Sequence, residues 1–168
     1  MKPRMLEPAT YLIVGFAILV GAPAAGIYLD SVIFHIPHFV TRAPFLFGAG
    51  LVLTVGGTAL VLWTIFLFKT RGQGTPNPLL PPRELVMEGP YSFTRNPMAL
   101  GAFVVLLGEA ALYSSPSLFV IAVLFLVIVY VNIVQVEEPE LRRRFGGDYE
   151  TYFNSVPRFI GVPGVRRR

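Results

Sequence analysis

The sequence predicts an all-α integral-membrane protein with four transmembrane helices, a cytoplasmic loop and an amphipathic C-terminal tail. Of its 168 residues, 54% are hydrophobic and only 14% are charged. With a mean hydropathy of +0.61, this is too apolar for an ordinary soluble domain. Four stretches are each long enough to cross about 30 Å of hydrocarbon as a helix. We treat residues 1–168 as one integral-membrane domain.

The four predicted spans are separated by charged or proline-containing segments. Ser114-Ser115-Pro116 breaks the chain between the last two spans, which predicts an antiparallel helical hairpin there. Glu109 is the only ionisable residue within these spans, and we interpret it as bonded to a neighbouring helix rather than functional. The predicted spans are residues 9–29, 43–68, 97–113 and 117–136.

Glycines in the second span predict close helix packing, because small residues let helix backbones approach each other. They are Gly48, Gly50, Gly56 and Gly57.

Several functional classes are excluded or disfavoured by composition. The chain has no cysteine, which excludes disulfides, thiolate nucleophiles and cysteine-bound metals. Pro37 lies between His35 and His38 and disturbs a helix there, so we interpret both histidines as loop residues and predict no metal site. The net charge is +4, but the basic residues flank apolar spans, where they meet anionic lipid. We therefore expect a lipid bilayer as partner and no nucleic acid.

Lysine and arginine positions predict the orientation in the membrane. Thirteen of the 14 basic residues fall in the N-terminus, the second loop and the tail, and Arg42 alone falls on the other side. Because cytoplasmic segments carry the excess of Lys and Arg, we expect both termini and the loop 69–96 in the cytoplasm of a multi-pass protein.

The loop that precedes the third span is the first candidate site. Gly89-Pro90 predicts a turn and Asn96-Pro97 predicts a helix start, since proline suits the first helical position. Arg95 would lie beside free N–H groups that bind anions. The alternative is a juxtamembrane loop with a snorkelling arginine.

The tail is the second candidate element. Glu137-Glu138-Pro139 begins a segment in which Leu141 and Phe145 share a face, and we expect this segment to lie on the membrane surface. Loop and tail would meet at one membrane face and bring Arg95 and Tyr91 close to Glu137 and Glu138.

These two segments resemble a known family. The pattern GPYSFTRNPMALG, followed some 35 residues later by EEPELRRRFGGDYETYFNSVPR, is similar to integral-membrane methyltransferases. That family includes isoprenylcysteine carboxyl methyltransferases and phospholipid N-methyltransferases. The resemblance covers about residues 72–158.

The resemblance implies S-adenosylmethionine as cofactor, in a pocket formed by the loop and the tail. The resemblance also implies that Glu137 binds the ribose diol of the cofactor. Arg95 suits the cofactor's own carboxylate. Methyl transfer is an in-line displacement, so positioning and exclusion of water supply most of the acceleration. Arg95 and Glu138 are the catalytic candidates. The implied cofactor contacts are Leu85, Val86, Tyr91, Asn96, Pro97 and Glu137.

The chain departs from the family pattern at two places, of which the first concerns a cofactor contact and the second the acceptor. The family's Arg-His-Pro-x-Tyr-x-Gly reads here as Arg-Asn-Pro-Met-Ala-Leu-Gly, with Asn96 and Ala99 at the two ring positions. Ile133 stands where eukaryotic members carry a substrate-binding arginine. This disfavours a prenylcysteine carboxylate and leaves lipid amines or small hydrophobic thiols as alternatives. Two other classes remain open: a noncatalytic membrane scaffold and a small transporter.

The acceptor is expected to be a hydrophobic small molecule or a lipidated group that enters sideways between helices. Asn132, Gln135 and Glu138 are spaced three apart, which predicts a shared helix face that guides the polar head. Interhelical hydrogen bonds that only hold the bundle are the alternative.

Overall fold

The computed structural model describes residues 13–36, 43–72 and 84–160. Every regular element in these ranges is helical, which confirms the all-α prediction for this part of the chain. A short 3₁₀ turn, Gly89–Ser92, precedes the third helix. The helices are α1 (Ile13–Ile33), α2 (Pro44–Thr70), α3 (Pro97–Leu112), α4 (Pro116–Phe145) and α5 (Gly147–Ser155).

Three of these helices are long and apolar enough to cross a membrane. They are α1 with 21 residues, α2 with 27 and α4 with 30. The third predicted span corresponds to α3, which is apolar but has only 16 residues. At 1.5 Å per residue it is about 24 Å long, shorter than the roughly 30 Å of a hydrocarbon core. The count of four spans stays a prediction.

The sequence predicted that the first span ends at Leu29, but the helix is longer. The helix continues to Ile33 and carries Asp30, which is fully buried. The Asp30 carboxylate accepts hydrogen bonds from the Ser115 hydroxyl and, at 3.1 Å, from the Ser117 backbone N–H. Ser115 immediately precedes α4 and Ser117 lies in its first turn, so Asp30 of α1 caps the N-terminus of α4.

The prediction that Glu109 is the only ionisable residue within the spans was therefore wrong, because the first span contains Asp30. Asp30 fell just outside the predicted span 9–29, and a carboxylate in an apolar helix is costly without partners. The hairpin turn supplies those partners. Glu109 lies in α3 and is 4% exposed, and within the described residues one of its carboxyl oxygens, Oε2, has no hydrogen-bond partner.

Prolines inside α1 and α4 each follow a π-helical turn. In α1 the turn is Ala17–Gly21 and precedes Pro23; in α4 it is Ile133–Glu137 and precedes Pro139. Proline removes one N–H donor, and its ring clashes with the carbonyl four residues before it. The wider turn, with i to i−5 hydrogen bonds, lets the helix pass the proline without ending.

The tail consequently does not begin as a separate segment at Glu137. The chain stays helical through Pro139 to Phe145, and the expected break lies at Gly146, whose φ is +52°. Glycine adopts this positive φ without steric strain, so the helix ends here and α5 begins.

The chain forms two compact units. Among the described residues, one comprises 13–59 together with 101–126, and the other comprises 60–100 together with 127–160. The first unit has an apolar core formed by Leu106, Ala110, Leu118 and Ala122.

Close contact between α2 and α3 in the first unit confirms the glycine prediction at two positions. A Cβ on Gly57 would lie 2.6 Å from the Gly101 carbonyl oxygen, and one on Gly50 would lie 2.9 Å from the Gly108 carbonyl oxygen. Gly48 and Gly56 have nothing within 4 Å of that position, so they do not take part in this packing. Of the earlier predictions, residues 9–12, His38 and Arg42 lie outside the described residues.

Candidate active site

The loop before α3 is fixed by an apolar cluster in the second unit. Leu67, Val86 and Tyr91 are each at most 7% exposed and pack together. The Tyr91 ring meets Phe68 edge to face, with ring centroids 5.5 Å apart. Gly89 has φ +60° where the loop turns back against α2, and an added Cβ would lie 3.1 Å from Leu67 Cδ1. The turn therefore requires glycine both for its backbone and for space.

The C-terminal segment 152–158, which we call the strap, fastens the residues between this turn and α3. The Tyr152 hydroxyl donates to the Tyr91 carbonyl at 2.8 Å, and the Arg95 backbone N–H donates to the Pro157 carbonyl at 2.9 Å. The Arg158 carbonyl accepts from the Thr94 hydroxyl at 2.9 Å and from the Asn96 side-chain amide at 3.0 Å. Residues 93–96, between the 3₁₀ turn and α3, have no regular structure, so these bonds set the conformation of that part of the loop.

Glu138 lies at the centre of the site and binds two arginines. Arg158 donates from Nε to Oε1 at 2.8 Å and from Nη2 to Oε2 at 2.9 Å, in the two-bond geometry favoured between guanidinium and carboxylate. Arg95 donates from Nη1 to Oε1 at 3.0 Å. The Glu138 side chain is only 6% exposed, so its charge depends on these partners.

The guanidinium of Arg95 contacts two aromatic side chains of α5, and its Nη1 donates to the Tyr149 hydroxyl at 3.5 Å. Its central carbon lies 4.0 Å from the centroid of the Phe153 ring, and that of Arg142 lies 4.3 Å from the same ring. Arg142 is also paired with Glu150 at 2.7 Å. The Arg95 side chain is 8% exposed, and its Nε has no hydrogen-bond partner among the described residues.

The pKa values of three groups in the tail, those of Tyr149, Tyr152 and Arg158, are raised. Burial raises the pKa of Tyr152 and of Tyr149 above that of a free tyrosine, although the charge of Arg95 opposes the shift in both. The hydrogen bonds to Glu138 raise the pKa of Arg158. At neutral pH both tyrosines are therefore hydroxyl donors and Arg158 is a cation.

Glu137 differs from its neighbour because its side chain is exposed. It accepts one hydrogen bond from the Asn132 amide at 2.8 Å. These residues are five apart, which the π-helical turn 133–137 places on one side of the helix. The prediction that Asn132, Gln135 and Glu138 share one helix face was wrong. Glu138 is buried while the other two are exposed, because the π-helical turn changes the spacing between them.

A family model for phospholipid methyltransferases matches residues 45–148. The chain belongs to the phospholipid methyltransferase family. Comparisons with curated proteins and with solved structures found no match. The family and the three apolar helices together identify the chain as a multi-pass membrane protein of a methyltransferase family.

In this phospholipid methyltransferase family member, several predicted site residues lie where loop and tail meet. Arg95 and Glu138 are in direct contact, as expected, whereas Glu137 bonds to Asn132 and not to the arginine pair. Of the other predicted residues, Val86, Tyr91 and Pro97 are buried, and Leu85 and Asn96 are partly exposed.

Sequence reasoning missed the strap, most of all Arg158 and Tyr152. Arg158 entered the prediction only as one of the tail's basic residues. The signal was present, because the motif that resembles the methyltransferases ends at Val-Pro-Arg, residues 156–158. Both residues lie beyond the stretch matched by the family model, which ends at residue 148.

Proposed function

We propose that this protein transfers a methyl group from S-adenosylmethionine to a hydrophobic or lipid-like acceptor at the cytoplasmic face of a membrane. The observation that carries the proposal is the contrast between two adjacent glutamates. Glu138 is buried and hydrogen-bonded to Arg95 and Arg158, while the adjacent Glu137 has an exposed side chain.

The available polar groups fit the cofactor. The exposed Glu137 carboxylate accepts one bond from Asn132 and retains acceptor capacity for the two ribose hydroxyls. Nε of Arg95 is a buried donor with no partner among the described residues, which suits the cofactor's carboxylate. When bound, S-adenosylmethionine supplies an electrophilic methyl group.

Each residue then has a defined role in the proposal. Glu137 binds the ribose, and Arg95 holds the carboxylate at the start of α3. Val86, Tyr91 and Pro97 are buried, so they contact the cofactor mainly through the loop backbone that they fix, and Leu85 contributes its partly exposed side chain. Asn96 keeps the loop against the strap through the Arg158 carbonyl. Glu138 orients Arg95 beside the reacting groups.

The acceptor reaches the site from the bilayer in this proposal. Large apolar side chains are exposed along α4, including Val127, Ile128 and Val131, and in a membrane they face lipid. A substrate with a hydrophobic tail moves along such a surface with its polar head towards Glu137 and Arg95. Lipid amines and small hydrophobic thiols fit better than an anionic prenylcysteine, because Ile133 is apolar and buried.

Calorimetric titration of the purified protein with S-adenosylmethionine tests the enzyme assignment. Binding, with competition by S-adenosylhomocysteine, is the expected result. Absence of both binding and competition would favour a noncatalytic scaffold or a transporter instead.

Methyl transfer from labelled cofactor tests the route of entry. The acceptors share one amine or thiol head group and differ in chain length. Long-chain acceptors are expected to react faster at equal concentration. Equal rates with short, water-soluble acceptors would show that the site opens to the cytoplasm and that lateral entry is wrong.

A further inference from the structure

Glu138 has one negative charge and two arginine partners, so one positive charge of this cluster is left over. Arg158 makes two hydrogen bonds to the Glu138 carboxylate, one to each oxygen, at 2.8 and 2.9 Å. Arg95 reaches only Oε1, through one nitrogen, at 3.0 Å. The unequal sharing leaves Arg95 incompletely paired.

Without Arg158, the preferred geometry of the remaining pair would be different. A guanidinium and a carboxylate in a buried site form two parallel hydrogen bonds when nothing else competes. Both oxygens of Glu138 would then be available to Arg95. Its charge would be neutralised, and its unpartnered Nε would be drawn towards Glu138.

We infer that Arg158 is a positioning residue that occupies Glu138 and thereby leaves Arg95 free to bind the carboxylate of S-adenosylmethionine. This inference rests on the proposed function. It assigns to the strap a role in ligand affinity that is separate from its mechanical role, in which the Arg158 carbonyl holds Thr94 and Asn96. Substitution of the side chain leaves that carbonyl in place.

The test compares S-adenosylmethionine with its decarboxylated analogue in calorimetric titrations. In Arg158→Gln, we expect the Kd for S-adenosylmethionine to rise at least about tenfold, the effect of one lost charge-assisted hydrogen bond. The Kd for the decarboxylated analogue should stay within about twofold of wild type, because that ligand offers nothing to Arg95. Arg143→Gln is the matched control, since Arg143 is an exposed arginine of the same tail.

A double variant gives the sharper result. Glu138→Gln removes the negative charge that would neutralise Arg95, so Glu138→Gln/Arg158→Gln should bind S-adenosylmethionine more tightly than Arg158→Gln alone. If the two substitutions weakened S-adenosylmethionine binding independently, the double variant would instead bind it more weakly than Arg158→Gln. Such a result would overturn the inference.

A reporter of loop structure separates this effect from detachment of the strap. The natural chain has no cysteine, so Val86→Cys introduces a single buried thiol in the loop. Its labelling by a water-soluble maleimide should stay slow when Arg158→Gln is added. Fast labelling, with both ligands weakened equally, would show a purely structural role and overturn the inference.

The two proposals fail differently. Wild-type protein that does not bind S-adenosylmethionine would overturn the proposed function together with this inference. Wild-type binding that Arg158→Gln leaves unchanged would overturn the inference alone.

Discussion

Glu137 and Glu138 are adjacent in the chain but have opposite environments, and the helix geometry explains why. Successive residues of a helix point about 100° apart, and the π-helical turn that ends at Glu137 changes the register of the residues before it. Glu138 therefore faces the arginines while Glu137 faces outward. A carboxylate already held by three hydrogen bonds is a poor ligand group, and an exposed one is available.

Glu137→Gln should weaken S-adenosylmethionine binding by about 1.5–3 kcal/mol, because a hydrogen bond to a charged group is lost. Folding should be unaffected, since the side chain is exposed. Titration calorimetry measures the change, and Glu140→Gln on the next turn of the same helix is the control. Unchanged affinity in the folded variant would remove Glu137 from the site.

Stability at alkaline pH should depend on Tyr152. Its pKa is raised in the folded protein, so the folded state binds the proton more tightly than the unfolded state. This contribution is complete below a tyrosine's ordinary pKa of about 10 and is lost as the pH rises above it. We expect the wild-type melting temperature to fall more steeply between pH 9 and 11, on the order of one unit either side of that value, than that of Tyr152→Phe.

At pH 7, Tyr152→Phe should cost about 1–3 kcal/mol because the Tyr91 carbonyl loses its donor. Tyr28→Phe is the control, since Tyr28 is 58% exposed. Parallel pH profiles for wild type and Tyr152→Phe would contradict this assignment.

The sequence predicted that Arg95 lies near Glu137 and Glu138 but not the contribution of Arg158. The positive-inside rule placed loop and tail at one membrane face, and of the two glutamates it is Glu138 that contacts Arg95. Seven arginines lie in the tail, and nothing in their spacing predicts that Arg158 turns inward. That choice depends on the tertiary contacts of Pro157 and Arg158 with residues 94–96.

At the scale of helices, packing between α2 and α3 depends on which face of α2 a glycine occupies. Gly56 and Gly57 are neighbours, yet only Gly57 meets the backbone of α3. Composition predicted the close approach. It did not predict the face, because four glycines within ten residues fit several rotations of the helix.

Gly57→Ala should therefore destabilise the protein by about 1–3 kcal/mol, since an added methyl forces the two helices apart. Gly56→Ala should be neutral or stabilising by up to about 1 kcal/mol, because alanine favours helix and meets nothing there. Thermal unfolding in detergent compares the two. Equal effects would show that α2 does not pack through Gly57.

The ends of α1 and α4 could not be read from local sequence. A charged residue such as Asp30 is an ordinary signal that an apolar span ends, and Pro139 is an ordinary signal that a helix ends. The first is overridden by donors from the hairpin turn at Ser115 and Ser117, and the second by a π-helical turn. Both corrections come from hydrogen bonds, between distant residues or within a wider turn, that a scan for apolar windows does not include.

At the scale of the whole molecule, the distribution of basic residues remains the basis for orientation. Length and apolar composition identify α1, α2 and α4 as candidate spans, and α3 is the short one. The length of α3 decides whether the α3–α4 hairpin crosses the membrane, so the topology needs a direct test.

Reporter fusions after Lys69 and after Ser115 should lie on opposite sides of the membrane. The expected result places the Lys69 fusion in the cytoplasm, because thirteen of the 14 basic residues are predicted there. A fusion after Ser155 should report the same side as the one after Lys69. If the Lys69 and Ser115 fusions shared a side, α3 would not span and the four-helix topology would be wrong.

The strap also has a consequence for the order of events during synthesis. Its hydrogen bonds join residues 61 to 64 positions apart, so the loop is made long before the residues that hold it. At roughly 5–20 residues per second, a ribosome needs about 3–12 s to add that length of chain. Throughout that interval the helices are already entering the membrane while the loop lacks its fastening. A nascent chain that stalls after α4 would therefore be inserted with this loop unheld, and the proposed binding site would be complete only after residues 152–158 are made.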